Sequence, residues 1–277
     1  MGDGAAAART GGNLSRFGRI GPRGGNSFRR IEFFGKQKEE GNKECFHSLC
    51  AFAHSFAVGF ITAGTVQTLV LPITDSTAIS HALELLRRGE VIALPTDTVY
   101  GIATDGFNAD AIEKLFIAKD RPSHKAIMLL LGDYADLEKI ATYISPTAQR
   151  LAQHFWPGGL TLVVNARAEL PANLRADTNT IGARLPASDL VRELVRGLGR
   201  PLAATSANRS GGANPRTAQD VLNDLDGKIA MILDGGATPG KLASTVLDCT
   251  IEPPRVLRVG AIGVNEIENV LGAALTS

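Results

Sequence analysis

The chain has 277 residues, 44% apolar and 21% charged, enough for one large domain or one medium domain with an extension. With 29 basic and 28 acidic residues the formal charge is +1, so no global field argues for nucleic-acid binding. Three cysteines, Cys45, Cys50 and Cys249, exclude a disulfide scaffold and fit a reducing compartment.

The charge balance hides an asymmetry. Arg9, Arg16, Arg19, Arg23, Arg29 and Arg30 precede Ile31 with Asp3 as the sole acid. Residues 1 to about 44 are rich in Gly, Arg, Asn and Ser without a sustained apolar period, and no structure is expected there. An uncharged run follows from Cys45 to Thr74. Its apolar middle, Leu49 to Ile61, after a basic stretch, raises a signal, membrane or organelle-targeting segment. Glu39, Glu40 and Glu44 flank that run, and His54, Ser55 and Thr62 dilute it. Residues 1–66 are therefore read as a dispensable extension and 67–277 as the working domain, cytoplasmic and without a membrane partner. Cys45, His47, Cys50 and His54 offer four zinc-ligand types, at a spacing that matches no usual finger or knuckle.

From Gln67 the chain becomes regular. A first strand is predicted from Gln67 to Pro72, and a helix from Thr77 to Arg88 stopped by Gly89. A strand over Glu90 to Leu94 opens into Pro95-Thr96-Asp97-Thr98-Val99-Tyr100-Gly101. Read as extended backbone, this segment places Thr96, Thr98 and Tyr100 on one face. A helix over Asp110 to Ala118 delivers Lys119 and Arg121, and a buried strand spans Ala126 to Leu131. Helices are expected around Ala135 to Ala141 and from Pro146 to Phe155. Trp156-Pro157-Gly158-Gly159 breaks the chain before a strand at Leu160 to Asn165. Further strands at Thr180 to Arg184, Leu202 to Thr205, Ile229 to Leu233, Thr245 to Asp248 and Val256 to Val259 alternate with helices at Ser188 to Leu198 and Thr217 to Leu225. A helix from Val264 to Leu271 follows. Without a clean βαβ repeat, this is a single α/β domain on a twisted, partly antiparallel sheet.

Several constellations admit two readings. Thr96, Thr98 and Tyr100 are either a solvated strand edge or hydroxyls aimed at a ligand. Lys119, Arg121 and Lys125 either neutralise a helix C-terminus or form a phosphate loop. Thr205-Ser206-Ala207-Asn208 with Ser210-Gly211-Gly212 is a turn or a close-approach ligand loop. Arg184 and Arg258 sit at strand ends, where arginines often reach to solvent. Gly235 to Leu242 matches the start of a P-loop, but Leu242 replaces the metal-binding hydroxyl and a strand pattern follows where a helix is required. Trp156 is expected to anchor packing.

The order of the motifs is more specific than any one of them. PTDTVYG (95–101), KDRP (119–122), WPGGLT (156–161), ARLP (183–186), TSAN (205–208), DGG (234–236), STV (244–246) and LRVG (257–260) resemble the YrdC family of threonylcarbamoyl-AMP synthases. The likeness spans about Thr68 to Leu271. It implies an α/β fold with a twisted mixed sheet, flanked by helices, around a positively lined concave cavity. It also implies synthesis of threonylcarbamoyl-AMP and pyrophosphate from L-threonine, bicarbonate or carbon dioxide, and ATP. Magnesium would travel with ATP, and a downstream transferase complex would pass the product to tRNA. By motif position, Thr98, Arg184, Ser244 and the backbone at Ala204 would hold threonine. Lys119, Arg121, Lys125, Ser206, Asn208, Asn214 and Arg258 would face ATP, with Thr180 near the nucleotide and Lys119 and Arg121 as the catalytic cations.

The sequence departs from the longer relatives at three points. Leu130 stands where many of them carry a His, Lys125-Ala126 replaces Asn-Pro or His-Pro, and a C-terminal extension is missing, which fits the single-domain type. Two alternatives stay open: a binding module of the same fold, or carbamoyl transfer through carbamoyl-adenylate.

Overall fold

The computed structural model describes residues 67–122, 125–176, 178–240 and 242–276. The extension through residue 66, with its apolar run and its Cys and His set, lies outside the described residues. Among the described residues no helix is long and apolar enough to cross a membrane.

Strand β1 (Leu69–Pro72) leads to helix α1 (Ala78–Arg87), then to the antiparallel pair β2 (Ile92–Pro95) and β3 (Tyr100–Asp105). Helix α2 (Ala109–Ala118) starts where the Asn108 side chain accepts from the amides of Asp110 and Ala111. After β4 (Met128–Leu130) come α3 (Asp136–Ile140) and the short β5 (Ala141–Tyr143). Helix α4 (Pro146–Phe155) is capped by Ser145, with Pro146 in its first turn. Then follow β6 (Leu160–Ala166), β7 (Thr180–Arg184), α5 (Asp189–Leu198) and β8 (Leu202–Ser206). Helix α6 (Ala218–Leu225) begins on a capping box between Thr217 and Asp220. Strands β9 (Met231–Asp234), β10 (Thr245–Asp248) and β11 (Arg255–Arg258) precede α7 (Val264–Leu271).

The strands build one mixed sheet in the order β1-β9-β2-β3-β8-β4-β7-β6-β10-β11, with β5 added beside β6. This is the twisted, partly antiparallel α/β sheet expected. Two strands were not predicted. Strand β3 is buried along its whole length, so it lacks polar alternation, and β5 is only three residues long. Because β3 starts at Tyr100, opposite Pro95, residues 96–99 form a hairpin turn and not the extended segment expected.

The two faces of the sheet are covered unequally. One packs against α2, α4, α6 and α7 through Ile112, Leu115, Leu151, Phe155, Val221 and Ile267. The other packs against α1 and α5 through Ala82, Leu86, Leu194 and Val195, which meet Leu94, Ala103, Leu202 and Leu233. That second cluster includes nothing from β6, β7, β10 or β11. Among the described residues no helix of this cluster packs on the sheet beyond β4, and side chains along that part of the face line a crevice.

Candidate functional site

The pairing register assembles the crevice from side chains distant in sequence. Ser206 lies opposite Gly101, Met128 opposite Ala204 and Gly182, and Leu130 opposite Arg184. Strand alternation puts all of them on the same face as α1 and α5, and Leu130 and Ala204 also belong to the cluster those helices form. Thr161 follows from the β6–β7 register and Arg258 from Val246 across β10, on the same face. The crevice on this face has a volume of about 100 Å³. Among the residues singled out in the sequence, Thr98, Arg184, Ala204 and Ser244 line it, as do Ser206, Asn214 and Arg258. Met128 and Leu130 give it an apolar side.

The 96–99 turn is fixed from within. Thr96 Oγ1 donates to the Val99 carbonyl at 2.7 Å and accepts from the amides of Thr98 and Val99. Its hydroxyl also lies 3.0 Å from that of Thr98. Tyr100 does not share their face: its hydroxyl donates to the Gly236 carbonyl at 2.8 Å and accepts from the Gly235 amide. Burial pushes the Tyr100 phenol up to about 12.

Arg184 crosses the crevice to meet that turn. Its Nε donates to the Gly158 carbonyl at 2.8 Å, one terminal nitrogen to Thr98 Oγ1 at 3.0 Å, and the other to Asp97 Oδ1 at 2.6 Å. Burial lowers its pKa while the Asp97 charge works in the opposite direction. Next to it, Thr161 and Ser244 pair their hydroxyls at 2.8 Å, and Arg258 donates to the Ser244 carbonyl at 2.9 Å. Burial, then the nearby Arg184 charge, lowers the Arg258 pKa. Among the described residues the crevice lining thus contains two guanidiniums and no carboxylate.

The remaining predicted residues lie around this crevice and not in its lining. Lys119 is buried, and its ammonium donates to the carbonyls of Ser206 and Asn208, the latter at 2.6 Å. Burial, and after it the Arg121 charge, pulls its pKa down to about 7. The Asn208 side chain donates to the Gly212 carbonyl and accepts from Ser206 Oγ at 2.5 Å, which closes the loop after β8. Arg121 donates to the Ala126 carbonyl at 2.8 Å, and Lys125 reaches Ser210 Oγ at 3.3 Å. Thr180 starts β7 on the same face as Arg184 and pairs hydroxyls with Thr178 at 3.0 Å.

Sequence reasoning missed Asp97, Thr161 and Met128. The first two were visible only as members of PTDT and WPGGLT, with nothing local to mark their partners. Trp156 anchors packing as expected, nearly buried with its indole donating to the Leu160 carbonyl at 2.7 Å. The Gly-rich stretch after β9 leads into a strand, as its sequence indicated, and its Gly240 lies against Thr98. A Cβ on Gly240 would come within 2.6 Å of Thr98 Cα, so only glycine lets this loop lie directly on the turn.

Comparison with known proteins bears on the family and the fold. Residues 84–260 match the Sua5/YciO/YrdC family model, described as "Telomere recombination". The chain is 40% identical over 200 residues to the threonylcarbamoyl-AMP synthase of Bacillus subtilis (strain 168), covering 72% of this chain and 58% of the relative. It is 33% identical over 184 residues to the threonylcarbamoyl-AMP synthase of Vibrio vulnificus (strain YJ016), covering 66% of this chain and 98% of the relative. The crystal structure of Pyrococcus abyssi Sua5 complexed with L-threonine superposes with a TM-score of 0.73 at 35% identity, covering 76% of this chain and 62% of that one. The chain thus spans under two thirds of the Bacillus relative and nearly all of the Vibrio one. Fold, motif order and matched residues together place this chain in the Sua5/YciO/YrdC family.

Proposed function

We propose that this chain is a threonylcarbamoyl-AMP synthase, forming L-threonylcarbamoyladenylate and pyrophosphate from L-threonine, bicarbonate or carbon dioxide, and ATP. The observation that carries the reading is the crevice itself: Arg184 and Arg258 converge with the Thr98 and Ser244 hydroxyls, and no acid among the described residues lines it, Asp97 meeting Arg184 outside the lining. Such a lining suits a small carboxylate next to a phosphate. The similar relatives that bear this name, and the threonine complex of the Pyrococcus protein, support it.

The chemistry explains the charge pattern. The threonine amine and bicarbonate give a carbamate anion and water. A carbamate oxygen then attacks the α-phosphorus of ATP, and pyrophosphate leaves. Two anions must approach, so fixed cations and exact positioning supply most of the catalysis. Thr98, Arg184, Ser244 and the Ala204 backbone take threonine. Arg258, Ser206 and Asn214 lie at the junction with the nucleotide, and Arg121, Lys125, Thr180 and Asn208 extend toward its phosphates and nucleoside. Lys119 acts with Arg121 on the reacting phosphate, and its hold on the 206–208 backbone keeps that loop in place. Magnesium enters with the triphosphate. The working unit is 67–277, in the cytoplasm, and a transferase complex acting on tRNA consumes the product.

The test is pyrophosphate release from ATP by the full chain and by residues 67–277, with threonine and bicarbonate omitted in turn. Release that needs both supports the synthase. Nucleotide binding without release favours a binding module, and release with carbamoyl phosphate in place of threonine and bicarbonate favours carbamoyl transfer.

A further inference from the structure

The Asp97–Arg184 contact is unlike the other ion pairs of the molecule. Its side chains are 4% and 15% exposed, whereas every other ion pair among the described residues has one side chain at least 46% exposed. Burying both charges is costly and adds little net stability over an apolar pair, so a functional reason for keeping it deserves a test. Asp97 does not line the crevice, and Arg184 does. Of the five guanidinium N–H groups, three are taken by Gly158, Thr98 and Asp97. Among the described residues this leaves one N–H on each terminal nitrogen for a ligand's acceptor oxygens.

We propose that Asp97 is a positioning residue: it fixes the free edge of Arg184 for the amino-acid carboxylate and cancels enough charge to keep inorganic anions from taking its place. This rests on the synthase reading above. Without the Asp97 charge, Arg184 and Arg258 would present two uncompensated guanidiniums to the crevice, a site for any small anion. With it, one net positive charge remains, and orientation selects the ligand.

The experiment measures steady-state pyrophosphate release by the wild-type chain, Asp97→Asn, Arg184→Lys and the double variant, each checked for a cooperative thermal melt. Asp97→Asn keeps the shape and an acceptor oxygen but removes the charge. The threonine KM should rise about tenfold while kcat and the ATP KM stay within about threefold. At constant ionic strength, replacing gluconate by chloride should inhibit Asp97→Asn competitively with threonine and leave the wild type unaffected. In the Arg184→Lys background Asp97→Asn should add less than about twofold, because it acts through Arg184. An unchanged threonine KM without chloride competition overturns the proposal. So does an equal loss for both substrates, or an Asp97→Asn chain that does not fold, either of which makes the pair structural. A wild-type chain lacking threonine-dependent release refutes the synthase reading itself and is seen before any variant is compared.

Discussion

Arg184 and Arg121 are both predicted site arginines, and the molecule treats them differently. Arg184 is 3% exposed, bonded to a carbonyl, a hydroxyl and a carboxylate, and held against the turn between β2 and β3. Arg121 is half-buried on the loop after α2 and, among the described residues, bonded to the backbone of Lys125 and Ala126. The first is a rigid socket whose geometry exists before any ligand arrives. The second has no ion-pair partner among the described residues, which on the proposed function suits a flexible polyanion that comes and goes. Preorganisation is concentrated where a small ligand offers few contacts.

The sharpest way to break that contrast is to remove each arginine. Arg184→Ala leaves Asp97 without its cation and should cost about 3 kcal/mol. For a domain of this size that is a fall of roughly 6–12 °C in Tm, together with loss of threonine-dependent turnover. Arg121→Ala should nearly abolish adenylate formation, by roughly 10²–10³ in kcat/KM. Its stability should stay within about 1 kcal/mol of wild type, roughly 2–4 °C in Tm, since no core contact is lost. Thermal melts and pyrophosphate assays on both variants check this. Equal destabilisation by the two would erase the distinction, and near wild-type turnover of Arg121→Ala would remove the phosphate role of its loop.

The ease with which the two regions could be read follows the same division. The cation loop, the helices and most strands were legible because their signals are local: capping residues, apolar periodicity, a Pro after a run of cations. The Arg184 socket was legible only by motif resemblance. Asp97 lies between two threonines and looks like one more polar turn residue, while its partner is 87 residues away. The turn was misread as extended because Thr and Val favour strands, and the Thr96 hydroxyl that bends the chain there acts through bonds to the 98 and 99 amides that no propensity records. Strand pairing, which puts Thr161 beside Ser244, is equally invisible before the sheet is assembled.

Lys119 bridges the two regions and yields a pH signature. With a folded pKa of about 7 against an ordinary 10.5, the folded chain releases this proton earlier than the unfolded one. Between those values the unfolded chain binds more protons, so stability should rise with pH from about 7 and level off near 10.5. Below 7 both states hold the proton and the cost of burial is fully present. Urea melts at pH 7 and pH 9 should show the rise in wild type and a smaller one in Lys119→Met. A phosphate arriving near the ammonium restores its charge, so ATP binding at pH 7.5 should take up protons, read as a dependence of binding enthalpy on buffer ionisation enthalpy. No proton uptake would separate Lys119 from the phosphates and leave it the loop-holding role alone.

The smallest expected effect tests how far the rigid socket extends. Thr161 has no predicted contact with either substrate. Its hydroxyl meets Ser244 Oγ at 2.8 Å in a buried position, and Arg258 Nη2 approaches the same Ser244 oxygen at 3.2 Å. Thr161→Val preserves shape and removes one hydroxyl, so Ser244 loses a partner and is free to rotate toward Arg258. Deleting one buried hydrogen bond in this way should cost about 1 kcal/mol of stability. The threonine KM should rise by roughly two- to fivefold through the misplaced Ser244, with the ATP KM unchanged. If both KM values rise together, Ser244 serves the junction with the nucleotide through Arg258, and the boundary between socket and phosphate region lies nearer β7 than the hydrogen bonds place it.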